Sequence, residues 1–161
     1  MQFYNSCIHS LLQYLIIVWG QACKSKLKKL QTVQNRCLKI LFNLTPLYST
    51  LDLYSRTDHH ILPIKALCEL QTITFIHKIL NDRDSHCNLT MSLANHPYNT
   101  RQANNLQRSR SRTCIGQSRI SYAGPQKYDA IPSTITKTSN SNRFKTSLKM
   151  HLKANVAQYL L

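Results

Sequence analysis

The segment HILPIKALCELQTITFIHKIL, residues 60–80, sets the fold class of this 161-residue chain. Its apolar residues recur at intervals of three and four, the spacing that places side chains on one face of an α-helix. Pro63 fits the first turn of such a helix, where the amide hydrogen that proline lacks would have no helical partner. The apolar stripe consists of Ile61, Ile64, Leu67, Cys68, Phe75, Ile76, Ile79 and Leu80. We therefore predict a long helix from near His60 to Leu80.

Two segments before residue 60 show the same spacing. The first helix is expected to end at Gly20, and the second before Pro46, because these residues commonly terminate helices. The first stripe is Ile8, Leu11, Leu12, Leu15, Ile16, Val18 and Trp19; the second is Leu27, Leu30, Val33, Cys37, Leu38 and Leu41, opposite Lys24, Lys28, Asn35 and Lys39. With a short turn or helix over residues 49–56, these segments predict a small helical bundle over residues 1–81.

The helical periodicity fades after residue 81. Residues 82–117 include NLQRSRSRTCIG, in which arginine alternates with small polar residues, and this pattern predicts a flexible basic arm. Residues 118–161 are predicted to form a C-terminal helical segment that closes with an amphipathic helix from Asn142 to Leu160. Its apolar face is Phe144, Leu148, Leu152, Val156 and Leu160. The fold class is therefore mostly α: a small helical bundle followed by a basic, partly irregular C-terminal segment.

The charge of the chain is strongly one-sided, with 21 Lys and Arg residues against 6 Asp and Glu, a formal net charge of +15. From His96 onward the only acid is Asp129, so most of the excess lies in the C-terminal part. Such an imbalance favours a polyanionic partner, because each phosphate that is contacted releases condensed counterions. We therefore expect RNA or DNA as the partner.

The candidate contacts to that partner are cations and one tyrosine. Lysine and arginine bind phosphate oxygens, and a tyrosine ring packs against a sugar or base. They are Lys24, Lys28, Lys29, Tyr98, Arg101, Arg108, Arg110, Arg112, Lys145 and Lys149. Two other interpretations stay open: the lysines form a solvated helix face, and residues 96–101 form a structured turn in which Arg101 caps a helix end.

The sequence holds no recognisable catalytic or metal site. Only Asp82 and Asp84 stand close together among the six acids, whereas two-metal phosphoryl transfer needs several converging carboxylates. The six cysteines lie at least fourteen positions apart, so paired ligands for zinc are absent, and His86–Cys87 has no second half. We predict a chain that is not an enzyme and needs no cofactor or metal, with Cys7, Cys37 and Cys68 as core residues.

The segment LLQYLIIVWGQAC, residues 11–23, has the apolar character of a signal peptide. However, no lysine or arginine precedes it, and Gln13 interrupts a run that is too short to span a bilayer. We therefore expect an intracellular chain, nuclear or cytoplasmic, that is not secreted and has no membrane partner.

Four motifs carry a family resemblance when taken in order. They are FYNSCIHSLLQYLIIVWG at residues 3–20, LKKLQTVQNRCLKIL at 27–41, HPYNTR at 96–101 and ISYAGPQKYDAIP at 120–132, followed by RFKTSLKMHL at 143–152. Together they resemble the C-terminal region of reverse transcriptases from non-LTR retrotransposons of the jockey-like and CR1-like type. Tyr128 and Asp129 depart from the family's tryptophan-asparagine, and Ile131 departs from its leucine.

The resemblance implies a part of a polymerase that performs no chemistry. In that family the palm with its catalytic aspartates lies upstream, and the region matched here resembles the thumb and the segment after it, which hold the template-primer duplex. The chain is then expected to be a non-catalytic fragment that binds RNA or DNA backbone without sequence choice, with an upstream palm as a further partner. The alternatives are a domesticated protein-interaction adaptor and a non-functional gene-model fragment.

Overall fold

The computed structural model describes residues 2–56, 61–81 and 105–160. Most residues of these ranges lie in helices and no β-strand occurs within them, which confirms the mostly α fold class. A π-helical segment, Tyr4–His9, precedes the first α-helix, and a 3-10 turn, Val156–Tyr159, follows the last. The α-helices are α1 Ser10–Gln13, α2 Ile16–Trp19, α3 Lys24–Leu41, α4 Thr50–Arg56, α5 Ile64–Asn81, α6 Cys114–Ser118, α7 Ile120–Asp129, α8 Ser133–Thr136 and α9 Ser141–Ala154.

The chain divides into two compact units. Unit 1 consists of Met1–Leu70 with Leu148–Leu161, and unit 2 of Gln71–Ser147. These boundaries differ from the segments 1–81, 82–117 and 118–161 that the sequence suggested. Hydrophobic periodicity shows which face of a helix is apolar, but it does not show which distant segment covers that face.

The first predicted helix is not continuous. It breaks at Tyr14 and Leu15, where Leu15 adopts a left-handed backbone with φ of 48°, and the Trp19 indole donates to the Tyr14 carbonyl at 2.7 Å across the break. The predicted core stripe was therefore wrong in part, because Leu11, Leu15 and Val18 are 75%, 57% and 70% exposed. The π-helical segment also alters the phase of the side chains that precede α1. The buried residues here are Tyr4, Leu12 and Ile16.

The core of unit 1 joins residues from both ends of the sequence. Its buried side chains are Tyr4, Leu38, Leu53, Tyr54, Ile61 and Val156. Partly buried apolar residues surround them: Ile8, Phe42, Leu44, Tyr48 and Leu160. Val156 and Leu160 belong to the predicted final helix, so its last residues cover the N-terminal elements, although α9 itself ends at Ala154 and a 3-10 turn replaces the remaining residues.

The inner face of α3 is more polar than its hydrophobic pattern indicated. Val33 and Leu41, predicted to face the core, are exposed, whereas Gln34 is 1% exposed. Asn35, predicted on the outer face, is half-buried, and the Lys39 ammonium donates to the Pro46 carbonyl at 2.7 Å. The prediction failed because it assigned the polar residues to solvent, whereas partners inside unit 1 satisfy their hydrogen bonds.

A hydrogen-bond network connects the polar face of α3 to two buried tyrosines. The Gln34 amide donates to the Tyr4 hydroxyl at 2.8 Å and to the Leu62 carbonyl at 3.0 Å. The Gln31 amide donates to the Tyr54 hydroxyl at 2.7 Å, and its oxygen accepts from the Ile64 backbone amide at 2.8 Å. Burial raises the pKa of both tyrosines, so each hydroxyl keeps its proton. The network fixes α3 against α4, the π-helical segment and the start of α5.

Helix α5 is buried on nearly all sides. The predicted stripe is confirmed at Ile61, Ile64, Leu67, Cys68 and Ile76, although the helix begins at Ile64 rather than near His60. Thr72, Thr74 and His77 are buried as well. A helix that is enclosed all round is expected at the centre of a domain.

In unit 2, α7 approaches α5 closely at Gly124. A Cβ atom at this position would lie 2.8 Å from Cδ1 of the buried Ile76, closer than two carbon atoms can pack without a shift. Gly124 and Pro125 are both buried within α7. The glycine-proline pair of the fourth motif therefore lies in a helix, and Gly124 provides the close contact with α5.

A stack of aromatic rings fills the other part of this core. The His77 ring lies parallel to Phe144, with centroids 3.7 Å apart and an interplanar angle of 6°. The Asn81 amide nitrogen lies 3.0 Å from the His77 carbonyl and 2.9 Å from Nε2, so Nε2 accepts. Nδ1 therefore carries the proton and faces the Tyr128 hydroxyl at 3.1 Å. Burial lowers the pKa of His77, against a hydrogen bond with the Thr138 backbone that raises it.

This depressed pKa predicts a loss of stability on mild acidification. The unfolded chain protonates this histidine near its ordinary pKa of about 6.5, whereas the folded ring resists the charge. The contribution of His77 is therefore fully present above about pH 6.5 and declines as the pH falls below that value. Urea midpoints measured at pH 7.5 and 5.5 test this, with His77→Gln expected to show a smaller pH difference. If the urea midpoint of His77→Gln changed with pH as much as that of the unsubstituted protein, the pH dependence would come from the other histidines.

Candidate nucleic-acid interface

The first set of candidate cations lies at the beginning of α3. Lys24, Lys28 and Lys29 are all exposed. Lys24 and Lys28 are four residues apart and so lie on the same face, about 6 Å apart along the helix axis. Lys26, which the sequence analysis did not include, is exposed as well. We call Lys24, Lys26, Lys28 and Lys29 the lysine row.

The lysine row lies at the positive end of the helix dipole. The first turn of α3 contains no acidic residue, and Cys23 at the N-cap makes no side-chain capping hydrogen bond. Cations at a helix N-terminus lower stability, because the unpaired backbone amides already carry a partial positive charge. The same arrangement concentrates positive potential, which attracts anions.

The pKa of the Cys23 thiol at this helix end is lowered chiefly by hydrogen bonds. The Ser25 hydroxyl, 3.1 Å from the sulfur, has the largest effect, a hydrogen bond with the Lys26 backbone follows, and the charge of Lys26 contributes least. Cys7, which the sequence placed in the core, is exposed, because its segment is π-helical. Cys68 is buried as predicted, and Cys37 is half-buried.

The second set of candidate cations is held against α7. The Leu106 backbone amide donates to Oδ1 of Asp129 at 3.3 Å, and the Arg108 guanidinium lies 3.8 Å from Oδ2 of the same carboxylate. Ser109 donates to the hydroxyl of Ser121 at 3.1 Å. Residues 105–117 therefore contact α7 and are partly helical, while residues 82–104 of the predicted flexible arm lie outside the described residues.

The charges of these three arginines are not equally available. Asp129, the single acid in the sequence from His96 onward, lies beside Arg108 and opposes its charge. Burial raises the pKa of Asp129, whereas the Leu106 amide and Arg108 lower it. Arg110 and Arg112 are exposed. We call Arg108, Arg110 and Arg112 the arginine row.

The final helix supplies the remaining candidates. Lys145 is exposed and Lys149 is half-buried, one turn apart on α9. The predicted apolar face is confirmed, because Phe144, Leu148, Leu152 and Val156 are all buried. An open polar depression near the start of α9 also contains Arg143, which the sequence analysis did not select; its lining is Thr138, Asn142, Arg143, Thr146 and Ser147.

The candidate residues divide between the two units. The lysine row and Lys149 belong to unit 1, whereas the arginine row and Lys145 belong to unit 2. Tyr98 and Arg101 lie outside the described residues, as do Asp82, Asp84 and His86–Cys87, so their roles stay predictions.

The described ranges contain neither a metal-binding cluster nor a membrane-spanning helix. Residues 2–56, 61–81 and 105–160 contain no cluster of three histidine, cysteine or acidic residues with the geometry to hold a metal ion. In the same ranges, no helix has the length and apolar character required to cross a bilayer. When the chain was compared with known proteins, no family model, no curated protein and no solved structure matched it.

Proposed function

We propose that this chain binds the phosphate backbone of RNA or DNA without sequence choice, as a non-catalytic relative of the C-terminal region of a retrotransposon reverse transcriptase. The observation that carries the proposal is the lysine row. Four exposed lysines stand in the first two turns of α3; Lys24 and Lys26, in the first turn, oppose the helix dipole, and no acid there compensates for them. An arrangement that lowers stability but strengthens a positive field is consistent with anion binding.

The surface position of these cations supports backbone contacts. Lysine and arginine on exposed helices and loops contact phosphate oxygens, which are the same for every sequence. The arginine row adds a second cationic surface in unit 2. Each row would contribute its own share of counterion release.

The salt dependence of binding tests the proposal. Fluorescence anisotropy of a labelled RNA strand and a DNA duplex gives the slope of log K against log salt. Arg108→Gln with Arg110→Gln and Arg112→Gln is expected to flatten that slope by about two to three units, because each lost phosphate contact removes roughly 0.7 to 0.9 units. Lys24→Gln with Lys28→Gln and Lys29→Gln is expected to act similarly, and to raise the free energy of unfolding by about 0.3–1 kcal/mol.

A control variant that removes two other positive charges, compared per charge removed, separates the effect of the rows from that of the net charge. Lys78 and Lys137 are exposed and belong to neither row, so Lys78→Gln with Lys137→Gln should leave the slope unchanged. If this control flattened the slope as much per charge as the row variants, binding would follow overall charge and the proposed surfaces would be incorrect. Absence of binding to either nucleic acid at low salt would refute the proposed function itself.

A protein-interaction adaptor is the second candidate, and the N-terminal segment favours it. The exposed large apolar residues here are Phe3, Leu11, Tyr14, Leu15 and Val18. Exposed apolar surface of this kind commonly marks a protein contact, for which an upstream polymerase palm would be one example. The apolar face of α9, by contrast, is buried and offers no such surface. This alternative predicts that the chain is recovered in a stable complex with another protein. The double variant Leu11→Ser with Val18→Ser should then fail to form that complex.

A further inference from the structure

The arginine row contains three hydroxyl residues that alternate with its cations. The sequence QRSRSRT, residues 107–113, places Ser109, Ser111 and Thr113 each directly after an arginine. Protein kinases select substrates partly by charge pattern, and a serine among arginines suits a kinase whose substrate cleft is acidic. On the sequence alone, the three hydroxyl residues are equally suitable substrates for such a kinase.

The structure separates these three hydroxyls by their surroundings. Thr113 caps α6, because its Oγ1 accepts from the Gly116 amide at 3.1 Å. Ser111 is half-buried, its hydroxyl faces the Thr113 carbonyl at 3.4 Å, and it occupies the space that a Cβ atom at Gly116 would need. Modification of either residue would therefore disrupt the turn that begins α6.

Ser109 differs from Ser111 in being exposed, and it differs from Thr113, which is exposed as well, because its hydroxyl caps no helix. It lies in a segment without regular secondary structure, and its hydroxyl donates to Ser121, in a hydrogen bond that is itself exposed to solvent. Breaking this bond costs little, because water replaces it. Arg108 and Arg110 flank the hydroxyl, and both are exposed.

We propose that Ser109 is a phosphorylation site for an arginine-directed serine kinase that uses ATP. The Ser109 oxygen attacks the γ-phosphorus of ATP, and a new oxygen–phosphorus bond forms. The bond from that phosphorus to the bridging oxygen breaks, ADP leaves with the electron pair, and a basic group of the kinase takes the hydroxyl proton. The balance requires no other reactant.

The phosphate would reduce the charge that the arginine row offers to nucleic acid. A phosphoserine carries about −1.5 to −2 charges at neutral pH and accepts charge-assisted hydrogen bonds from arginine. Its two neighbours in sequence, Arg108 and Arg110, would then pair with the phosphate of their own chain instead of a nucleic-acid phosphate. This consequence rests on the proposed function, whereas the modification itself does not.

Mass spectrometry of the full chain tests the modification independently of binding. The chain is incubated with a purified arginine-directed serine kinase and magnesium ATP, and the phosphate is located by fragmentation. We expect Ser109 to be phosphorylated before any other residue. The Ser109→Ala variant should lack this phosphate, whereas the Ser121→Ala variant should still be phosphorylated at Ser109. A peptide of residues 105–115 shows that the kinase is active. The proposal would be overturned if the kinase phosphorylated that peptide but not the folded chain. It would also be overturned if Ser111 or Thr113 were phosphorylated while Ser109 was not.

Anisotropy then tests the regulatory consequence. Kinase-treated chain is expected to bind RNA with a salt slope lower by about one to two units than the untreated chain, since two arginines become neutralised. Ser109→Ala treated in the same way should keep its original slope. An unchanged slope in the phosphorylated chain would overturn the charge-neutralising role. If the untreated chain bound no nucleic acid, the proposed function would fail, and the mass measurement would still decide whether Ser109 accepts phosphate.

Discussion

Gln34→Leu is expected to destabilise the protein by about 2–6 kcal/mol, although leucine is more hydrophobic and similar in size. The Gln34 amide is 1% exposed and donates to the Tyr4 hydroxyl and the Leu62 carbonyl. Leucine would leave both groups buried without this donor, and each such group costs about 1–3 kcal/mol. Urea unfolding, followed by circular dichroism, measures the loss.

Two further variants show whether that loss comes from the broken hydrogen bonds. Tyr4→Phe with Gln34→Leu removes both partners of one bond, so the double variant should be more stable than the sum of the single changes indicates. Gln126→Leu makes the same substitution at an exposed position of α7 and should change stability by less than about 0.5 kcal/mol. If the losses of unfolding free energy from Tyr4→Phe and Gln34→Leu were strictly additive in the double variant, Tyr4 and Gln34 would not interact.

Phe144→Ala is expected to cost about 3–5 kcal/mol, the range for removal of a fully buried aromatic side chain. Phe144 is 0% exposed and covers one face of the His77 ring at 3.7 Å. The cavity would also admit water to His77, so the pKa of the histidine should return toward its ordinary value and the acid sensitivity of the protein should decline. Thermal or urea unfolding at pH 7.5 and 5.5 measures both effects.

The same helix provides the control for this substitution. Met150 lies on α9 but is 58% exposed, so Met150→Ala should alter the free energy of unfolding by less than about 0.5 kcal/mol. A cost below about 1 kcal/mol for Phe144→Ala would contradict the burial of its ring.

The fold was predictable from sequence where apolar spacing alone determines burial. The stripes of α5 and α9 were read correctly at Leu67, Ile76 and Phe144, because both helices are regular over these residues and keep the phase that the spacing assumes. The N-terminal segment was misread because a π-helical segment and the left-handed Leu15 change the phase that a regular helix would keep. Such breaks depend on tertiary packing and leave little trace in composition.

Buried polar residues were the second limit of sequence reasoning. Gln31 and Gln34 continue the apolar spacing of Leu27, Leu30 and Leu38, and this spacing was a usable sign that they face inward. Their partners, Tyr4 and Tyr54, lie 30 and 23 residues away, so the network itself could not be read from the pattern. The exposure of the lysine row followed from its charge, whereas the ion pair of Arg108 with Asp129 joins residues that only folding brings together.

The composition of unit 1 has a consequence for synthesis of the chain. Tyr4 and Leu38 share their core with Val156, which the ribosome adds 152 residues after Tyr4 and 118 residues after Leu38. Until residues 148–160 leave the exit tunnel, these earlier side chains lack part of their covering, and contacts so distant in sequence form slowly. We therefore expect the core around Tyr4 and Leu38 to stay incompletely folded over that interval, with its apolar surface open to chaperones. A truncation that removes Val156 would extend that vulnerable period to the lifetime of the protein.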